Sequence, residues 1–427
     1  MTARETAFTM DTSSIKYGAG TTREVGFDMA KYGVKRVMVI TDSKLSDSDP
    51  VNITMQSLSD ADIEAVKFDG TRIEPTDVSF KEAIAFALDG NFDGFVAVGG
   101  GSCIDTAKVA NLYSTHPTDD FLDYVNVPLG NGKPILGKLK PLIAIPTTAG
   151  TGSETTSVAV FDLLEKEVKT GISHRAMRPV LGIIDPLNTS TMPPLVAASS
   201  GLDVLSHAIE SLTAIPYNDK PAVDHPSKRP PYQGSNPISD IWSGNSIEIV
   251  SKYIRRAMNN TDDIEARGQM MLAASYAGIG FGNAGVHLPH AMSYPVAGMV
   301  RDYHPKDYDV DWAMVPHGIA VIVNAPAVFR WTAETDPQRH LHAAKLMGVD
   351  ISGADESQAG DLLAEAIIDV MKDTGSPNGL SELGFTEDDI DQLAEGAFAQ
   401  QRLTKLSPRP ASLDDLKQLF RDAMQYW

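Results

Sequence analysis

Between Val34 and Ile184 the chain repeats one pattern, a short β-branched run followed by a stretch of helical length. Val34–Thr41 (VKRVMVIT), Phe95–Val98, Leu142–Pro146, Ser157–Phe161 and Leu181–Ile184 are the strand candidates, apolar enough to be buried on both faces. Strand–helix alternation at this spacing predicts a parallel sheet with helices on both of its faces. After Pro193-Pro194 the period changes to that of helices, around residues 195–214, 238–258, 262–281, 316–329, 356–373 and 411–423. The change of period divides an α/β domain, residues 1–190, from a helical domain, residues 191–427. Tyr217–Asn236, rich in Pro, Gly, Asp and Asn, reads as an ordered excursion between helices.

Charge narrows the classes of partner. The 427 residues carry a formal net charge of −20, a field that repels phosphate backbones and anionic lipid and argues against nucleic acid or a membrane surface. An anionic substrate would need a local cation working against that field. The single cysteine, Cys103, allows no internal disulfide. The opening residues lack the apolar core of a secretory signal and the Arg-rich pattern of a transit peptide, and no apolar run approaches a membrane span, so a cytoplasmic location is expected.

The stretch VGGGSCIDTAK (Val98–Lys108) closes a strand and opens a helix. Gly99, Gly100 and Gly101 let backbone approach a ligand, and the helix start offers unpaired N–H groups and a positive dipole end that suit pyrophosphate. Ser102 and Asp105 have the spacing of a capping box. An ordinary strand–turn–helix would use the same glycines. A second loop, IPTTAGTGSE (Ile145–Glu154), sets Thr147, Thr148, Thr151 and Ser153 among two glycines, hydroxyls fitted to ribose and amide groups or to the turn's own backbone. Asp42 ends its strand where a carboxylate can accept from an adenosine ribose diol; it would repel a 2′-phosphate, favouring NAD over NADP. The same residue could equally cap the following helix.

In GLDVLSHAIE (Gly201–Glu210) the side chains of Asp203 and His207 are four apart and share a helical face, so they can chelate one ion. VHLPHAMSYP (Val286–Pro295) supplies His290, and VPHGIA (Val315–Ala320) supplies His317 where a helix should begin, with Pro316 in its first turn. One carboxylate and three imidazoles suit Fe(II), Zn(II), Mn(II) or Ni(II). Surface or capping pairs have the same spacing, and spacing alone does not join the three fragments.

These segments together resemble the iron-containing (group III) alcohol dehydrogenases from about residue 10 to the C-terminus. FLDYVNVPLGNGKP (Phe121–Pro134), RPPYQGSNPISDIW (Arg229–Trp242), KDYDVDWAMVPHG (Lys306–Gly318) and RLTKLSPRP (Arg402–Pro410) resemble its hydroxyacid–oxoacid transhydrogenase branch. The resemblance implies an α/β N-terminal dinucleotide-binding domain with a parallel sheet and an all-α C-terminal metal-binding domain (the dehydroquinate synthase-like, iron alcohol dehydrogenase fold), with the site in the cleft between them. It implies Asp203, His207, His290 and His317 as ligands of a divalent metal, Fe(II) with Zn(II) as the alternative. It implies Asp42, Gly99, Gly100, Gly101, Ser102, Thr147, Thr148, Thr151 and Lys169 at NAD, the last with nothing in EVKTGIS to single it out. A homodimer is implied as well.

The chain departs from the family's pattern in places. Tyr294 stands where the family usually has a second histidine one turn after the His290 position, which leaves His287 and Tyr294 as rival proton-handling residues. Glu74 stands where Asn is common, the segment from His290 to His317 is longer than usual, and Cys103 reads as packing. The branch resemblance implies 4-hydroxybutyrate giving succinic semialdehyde while 2-oxoglutarate becomes 2-hydroxyglutarate. Arg402, Lys405 and Arg409 are the candidate cations for these acids, Arg175 and Arg178 the second choices. The rival readings are an NAD-dependent alcohol dehydrogenase acting on small alcohols, a dehydroquinate synthase-like lyase, and a silent nucleotide- and metal-binding module.

Overall fold

In the computed structural model, which describes residues 3–166 and 168–427, the chain divides into two compact units, Asp11–Met192 and Pro193–Trp427, with the segment ending at Met10 grouped with the second. The first residues therefore leave the α/β unit to which the change of period assigns them. An extended stretch has no period of its own, and its partners are far away in sequence: Glu5 N–H donates to Lys220 O at 2.9 Å. No helix among the described residues is long and apolar enough to cross a membrane.

In the α/β unit the strands are β1 (Ser14–Tyr17), β2 (Arg36–Asp42), β3 (Glu64–Thr71), β4 (Gly94–Gly99), β5 (Leu142–Pro146), β6 (Val158–Leu163), β7 (Val168–Ser173) and β8 (Leu181–Ile184). Among the described residues one sheet runs β1-β8-β5-β4-β2-β3, every pair parallel. Side chains alternate across it. Val37, Val39, Val96, Val98, Ile143 and Ile145 pack on one face with α1 (Val25–Ala30) and α2 (Asp49–Asp60). Met38, Ile40, Phe95, Ala97, Leu142 and Ala144 pack on the other with α3 (Asp77–Gly90) and α4 (Gly101–Thr115). Burial on both faces is why these strands read as continuous apolar runs, each fully buried side chain contributing roughly 1.5–3 kcal/mol. The run Ser157–Phe161 does not join this sheet: β6 pairs antiparallel with β7 in a separate ribbon.

From β2 the chain crosses to β3 on one side, and from β4 to β5 on the other, so the order reverses between β2 and β4. At such a switch point the loops leave the strand ends in opposite directions and open a crevice outside their carboxyl ends. Asp42 and Gly99 are the residues at those two ends.

The second unit is helical, led by α5 (Pro194–Thr213), α6 (Pro237–Asn259), α7 (Ile264–Ala284), α8 (Leu288–Gly298), α9 (His317–Ile322) and α10 (Ala325–Thr332). Buried hydroxyls let these helices pack without stranding polar groups: Ser243 Oγ donates to Ser211 Oγ at 2.8 Å and Ser246 Oγ to Ala273 O at 2.8 Å. The excursion after α5 ends at Asn236, whose Oδ1 accepts from the N–H groups of Ile238 and Ser239 and starts α6.

Candidate metal centre and cofactor loops

The helical unit brings the four metal-ligand candidates around one point. Asp203 and His207 project from α5, His290 from the first turn of α8, and His317 is the first residue of α9. Asp203 Oδ1 lies 3.7 Å from His207 Nε2, 3.6 Å from His290 Nε2 and 3.9 Å from His317 Nε2. These separations are too long for hydrogen bonds. They are a little wider than the ~3.4 Å kept by two donors each ~2.1 Å from a shared ion in tetrahedral geometry. Asp203, His207 and His290 are buried, with donor atoms mutually within 4.8 Å, whereas the His317 side chain is 27% exposed and forms the open side.

Asp203 Oδ1 and His290 Nε2 are sealed from solvent and have no hydrogen-bond partner among the described residues. A carboxylate oxygen and an imidazole nitrogen stranded in this way, side by side, cost free energy that a cation would recover. The donor set therefore fits the divalent ion that the sequence suggests. The electrostatics agree. Burial works to raise the Asp203 carboxyl, but the imidazoles of His207, His317 and His290 outweigh it and hold it below the usual carboxylate range. Burial pushes His207 down to about 3, leaving the neutral ring that a metal requires. Burial also opposes charge on His290, yet the carboxylates of Glu210 and Asp203 lift it to about 9, marking Nε2 as a place for a positive charge.

Close approach of α9 to α5 sets the position of His317. A Cβ on Gly318 would stand 2.0 Å from Ser199 O and 3.0 Å from Asp203 Cβ, so only glycine lets the two helices meet here. Glu210 was not singled out in the sequence, yet it is buried and its Oε1 accepts from His290 Nδ1 at 2.6 Å, fixing the ring's orientation and tautomer. Its other oxygen accepts from the His287 backbone N–H. The available signal was position: Glu210 lies three residues after His207 and seven after Asp203, on the same face of α5.

His287 does not suit the proton-handling role. Thr213 Oγ1 donates to Ile209 O at 2.8 Å and therefore accepts from His287 Nε2 at 3.0 Å. The ring is wholly buried, and that burial, with His340 and His290, pushes it well below its ordinary pKa. Burial thus favours the neutral ring, and its Nδ1 is buried with no partner among the described residues. Tyr294, one turn beyond His290, accepts at its hydroxyl from Arg402 Nη2 at 3.3 Å.

The candidate substrate cations separate clearly. Lys405 is exposed. Arg409 is committed, with Nη1 donating to Glu334 Oε2 at 2.7 Å and Trp331 O at 2.9 Å and its guanidinium 4.1 Å from the Trp331 ring centre. Arg175 and Arg178 face the carboxylate of Asp11 at 3.0 and 3.6 Å. Arg402 Nη1 and Arg175 Nη2 are buried guanidinium nitrogens lacking a hydrogen-bond partner among the described residues, but Arg175 already faces the Asp11 carboxylate, whereas Arg402 is paired with no carboxylate among them.

In the α/β unit the two glycine loops pack against each other. Thr147 N–H donates to Gly99 O at 3.1 Å. A Cβ on Gly101 would lie 2.5 Å from Thr151 Cγ2, and one on Gly100 would lie 3.5 Å from Thr148. Gly99–Ser102 and Thr147–Thr151 thus form one surface beside the switch point. The expected capping box is absent: the cap residue of α4 is Gly100 and no side chain among the described residues caps it. Asp105 instead accepts from Ser153 Oγ at 2.6 Å and Val160 N–H at 2.9 Å, while buried Lys108 bonds Ser153 Oγ at 2.5 Å. The helix start is left to its backbone, as an anion site needs.

Asp42 does not cap the following helix, whose cap residue is Ser48; its Oδ1 accepts from the N–H groups of Lys44 and Leu45 in the turn that follows the strand. The Cys103 thiol lies 3.6 Å from its Oδ2, and burial together with that carboxylate raises the thiol's pKa, so Cys103 is a packed thiol. Lys169 is neither exposed nor uncommitted: it is buried in β7 and paired with Glu74 at 2.7 Å and Asp162 at 2.9 Å.

Residues 12–186 match the family described as iron-containing alcohol dehydrogenase, and residues 232–424 match the C-terminal part of the same family. The chain belongs to the iron-containing alcohol dehydrogenase family. Within that family its curated relatives include hydroxyacid-oxoacid transhydrogenases. The chain is 53% identical over 422 residues to the mitochondrial transhydrogenase of Bos taurus, covering 99% of this chain and 91% of the relative. It is 51% identical to that of Homo sapiens, covering 99% and 90%. Among solved structures, a 1,3-propanediol oxidoreductase superposes with a TM-score of 0.85 at 28% identity, covering 98% of this chain and 100% of the other. The alcohol dehydrogenase of Oenococcus oeni superposes with a TM-score of 0.84 at 27% identity, with the same coverage. The transhydrogenase relatives are named as mitochondrial, which overturns the cytoplasmic expectation for this iron-containing alcohol dehydrogenase. That expectation rested on the opening residues and on the absence of a membrane-spanning run, neither of which reads the folded body shared with those relatives.

Proposed function

We propose that this protein is a hydroxyacid–oxoacid transhydrogenase that oxidises 4-hydroxybutyrate to succinic semialdehyde and reduces 2-oxoglutarate to 2-hydroxyglutarate. A hydride leaves the carbinol carbon and a proton leaves its hydroxyl; the same pair enters the keto group of the second acid, so the exchange needs no outside oxidant. The observation that carries the reading is the pair of stranded donors, Asp203 Oδ1 and His290 Nε2, inside a set completed by His207 and His317. Identity of 50–53% to transhydrogenases across nearly the whole chain supports the choice of reaction.

Asp203, His207, His290 and His317 would hold Fe(II), a Lewis acid that polarises a substrate oxygen when bound. NAD, at Asp42, Gly99–Ser102, Thr147, Thr148 and Thr151, supplies the two-electron carrier. The chain's own residues orient and exclude. Glu210 holds the His290 ring, Phe281 stacks on His207 with ring centres 4.0 Å apart, and Tyr294 is the proton-handling group beside His290. A homodimer belongs to the same proposal, and sedimentation tests it.

Purified protein with 4-hydroxybutyrate and 2-oxoglutarate, and no added NAD, should form 2-hydroxyglutarate. Product that appears only when NAD is added would instead make the protein an ordinary dehydrogenase.

A further inference from the structure

Among the substrate-cation candidates of the helical unit, Arg402 has a buried nitrogen left without a partner among the described residues. It lies in the short helix Gln401–Thr404, and its Nη2 donates to the hydroxyl of Tyr294 at 3.3 Å. The guanidinium lies 5.3 Å from the ring centre of Tyr232, within cation–π range. Nη1 is sealed from solvent with no partner among the described residues. A buried, charged N–H without an acceptor is unfavourable, and a carboxylate is the acceptor whose geometry suits the guanidinium fork.

Tyr294 lies four residues after His290 on α8. Neighbours at that spacing have Cβ atoms about 5–6 Å apart on one helix face. The residue that holds the guanidinium therefore shares a helix face with a metal ligand. The two substrates share a fragment. In 4-hydroxybutyrate the carboxylate is three carbons from the carbinol carbon, and in 2-oxoglutarate the distal carboxylate is three carbons from the keto carbon.

We infer that Arg402 is the anchor for this shared distal carboxylate, so that one cation reads both substrates and places either reacting carbon at the same point. The inference rests on the proposed transhydrogenase reading, and Tyr294 and Tyr232 act in it as positioning residues. It makes Arg402 a specificity residue common to both half-reactions. A site reading the carboxylate next to the keto group would treat 2-oxoglutarate and 2-oxovalerate alike.

The test compares acids with analogues that lack the distal charge: 4-hydroxybutyrate against butan-1-ol, and 2-oxoglutarate against 2-oxovalerate, with metal content and thermal melting followed throughout. Arg402→Met should raise KM for 4-hydroxybutyrate and for 2-oxoglutarate by ~10–100-fold, in parallel, and leave the two analogues nearly unchanged. Arg402→Lys, which keeps the charge but loses the fork, should fall between. Lys405→Ala, at an exposed residue, should leave both ratios as in the natural protein. Equal losses for acid and analogue in both Arg402 variants would overturn the anchor while the transhydrogenase reading stands. So would loss of discrimination in one half-reaction only, or in Lys405→Ala. Natural protein that shows no preference for 4-hydroxybutyrate over butan-1-ol overturns the substrate class and the anchor together.

Discussion

Glu210 accepts the Nδ1–H of His290 at 2.6 Å from the same helix that carries Asp203 and His207. The carboxylate is buried and bonds the His287 backbone with its second oxygen, so it holds both the ring and the start of α8. Glu210→Gln keeps the shape but replaces one acceptor by a donor. Metal affinity, read by titration against a competing chelator, should fall ~10–100-fold. An unchanged affinity would show that the ring is held by packing alone.

Gly318→Ala tests the contact between α9 and α5. The new methyl would meet Ser199 O at 2.0 Å, and backbone cannot yield as a side-chain tip can. We expect a loss of roughly 1–3 kcal/mol in the folding free energy, seen as a lower Tm, together with weaker metal retention because His317 moves with its helix. A lower Tm with full metal retention would separate the two effects.

Gly101→Ala places a methyl 2.5 Å from Thr151 Cγ2 and forces the two cofactor loops apart. NAD binding, followed by quenching of protein fluorescence, should weaken by about tenfold, while metal content stays unchanged. Metal loss in this variant would contradict the assignment of the two functions to separate units.

His340 offers a pH dependence remote from the metal ligands. Burial holds its folded pKa at about 4, against an ordinary value of 6.5, although its Nδ1 bonds Asp336 O at 2.8 Å. Below pH 6.5 the unfolded chain takes up a proton that the folded protein refuses, so stability falls as pH drops from 6.5 toward 4. The loss should approach about 3 kcal/mol. His340→Asn, which can retain the bond to Asp336 O, should flatten that part of the stability profile measured by urea unfolding. A profile of unchanged slope would count against it.

Local periodicity made the Asp203–His207 pair readable, because a four-residue spacing on a helix has one geometric meaning. His290 and His317 came from family resemblance, since nothing in their own segments says that α8 and α9 meet α5. Glu210 lay in plain view, but a buried carboxylate and a solvated one have the same letter. The capping box failed for a related reason: Asp105 found Ser153, 48 residues away, in place of the nearby amide. The run Ser157–Phe161 has a buried strand's composition, which carries no address for its partner, and β7 claimed it. Lys169, with the same limitation, proved to be the buried cation of a paired cluster.

Asp203, His207 and Glu210 sit within two turns of one rod, all facing the same way. Each residue of a helix is rotated by about 100° from the last, so losing or gaining one residue between Val204 and Ile209 would swing one end of this trio out of line. Length changes there are intolerable, whereas the stretch joining α8 to α9 can lengthen at small entropic cost and still deliver His317. Evolutionary drift in chain length near this centre is therefore channelled into that joining stretch.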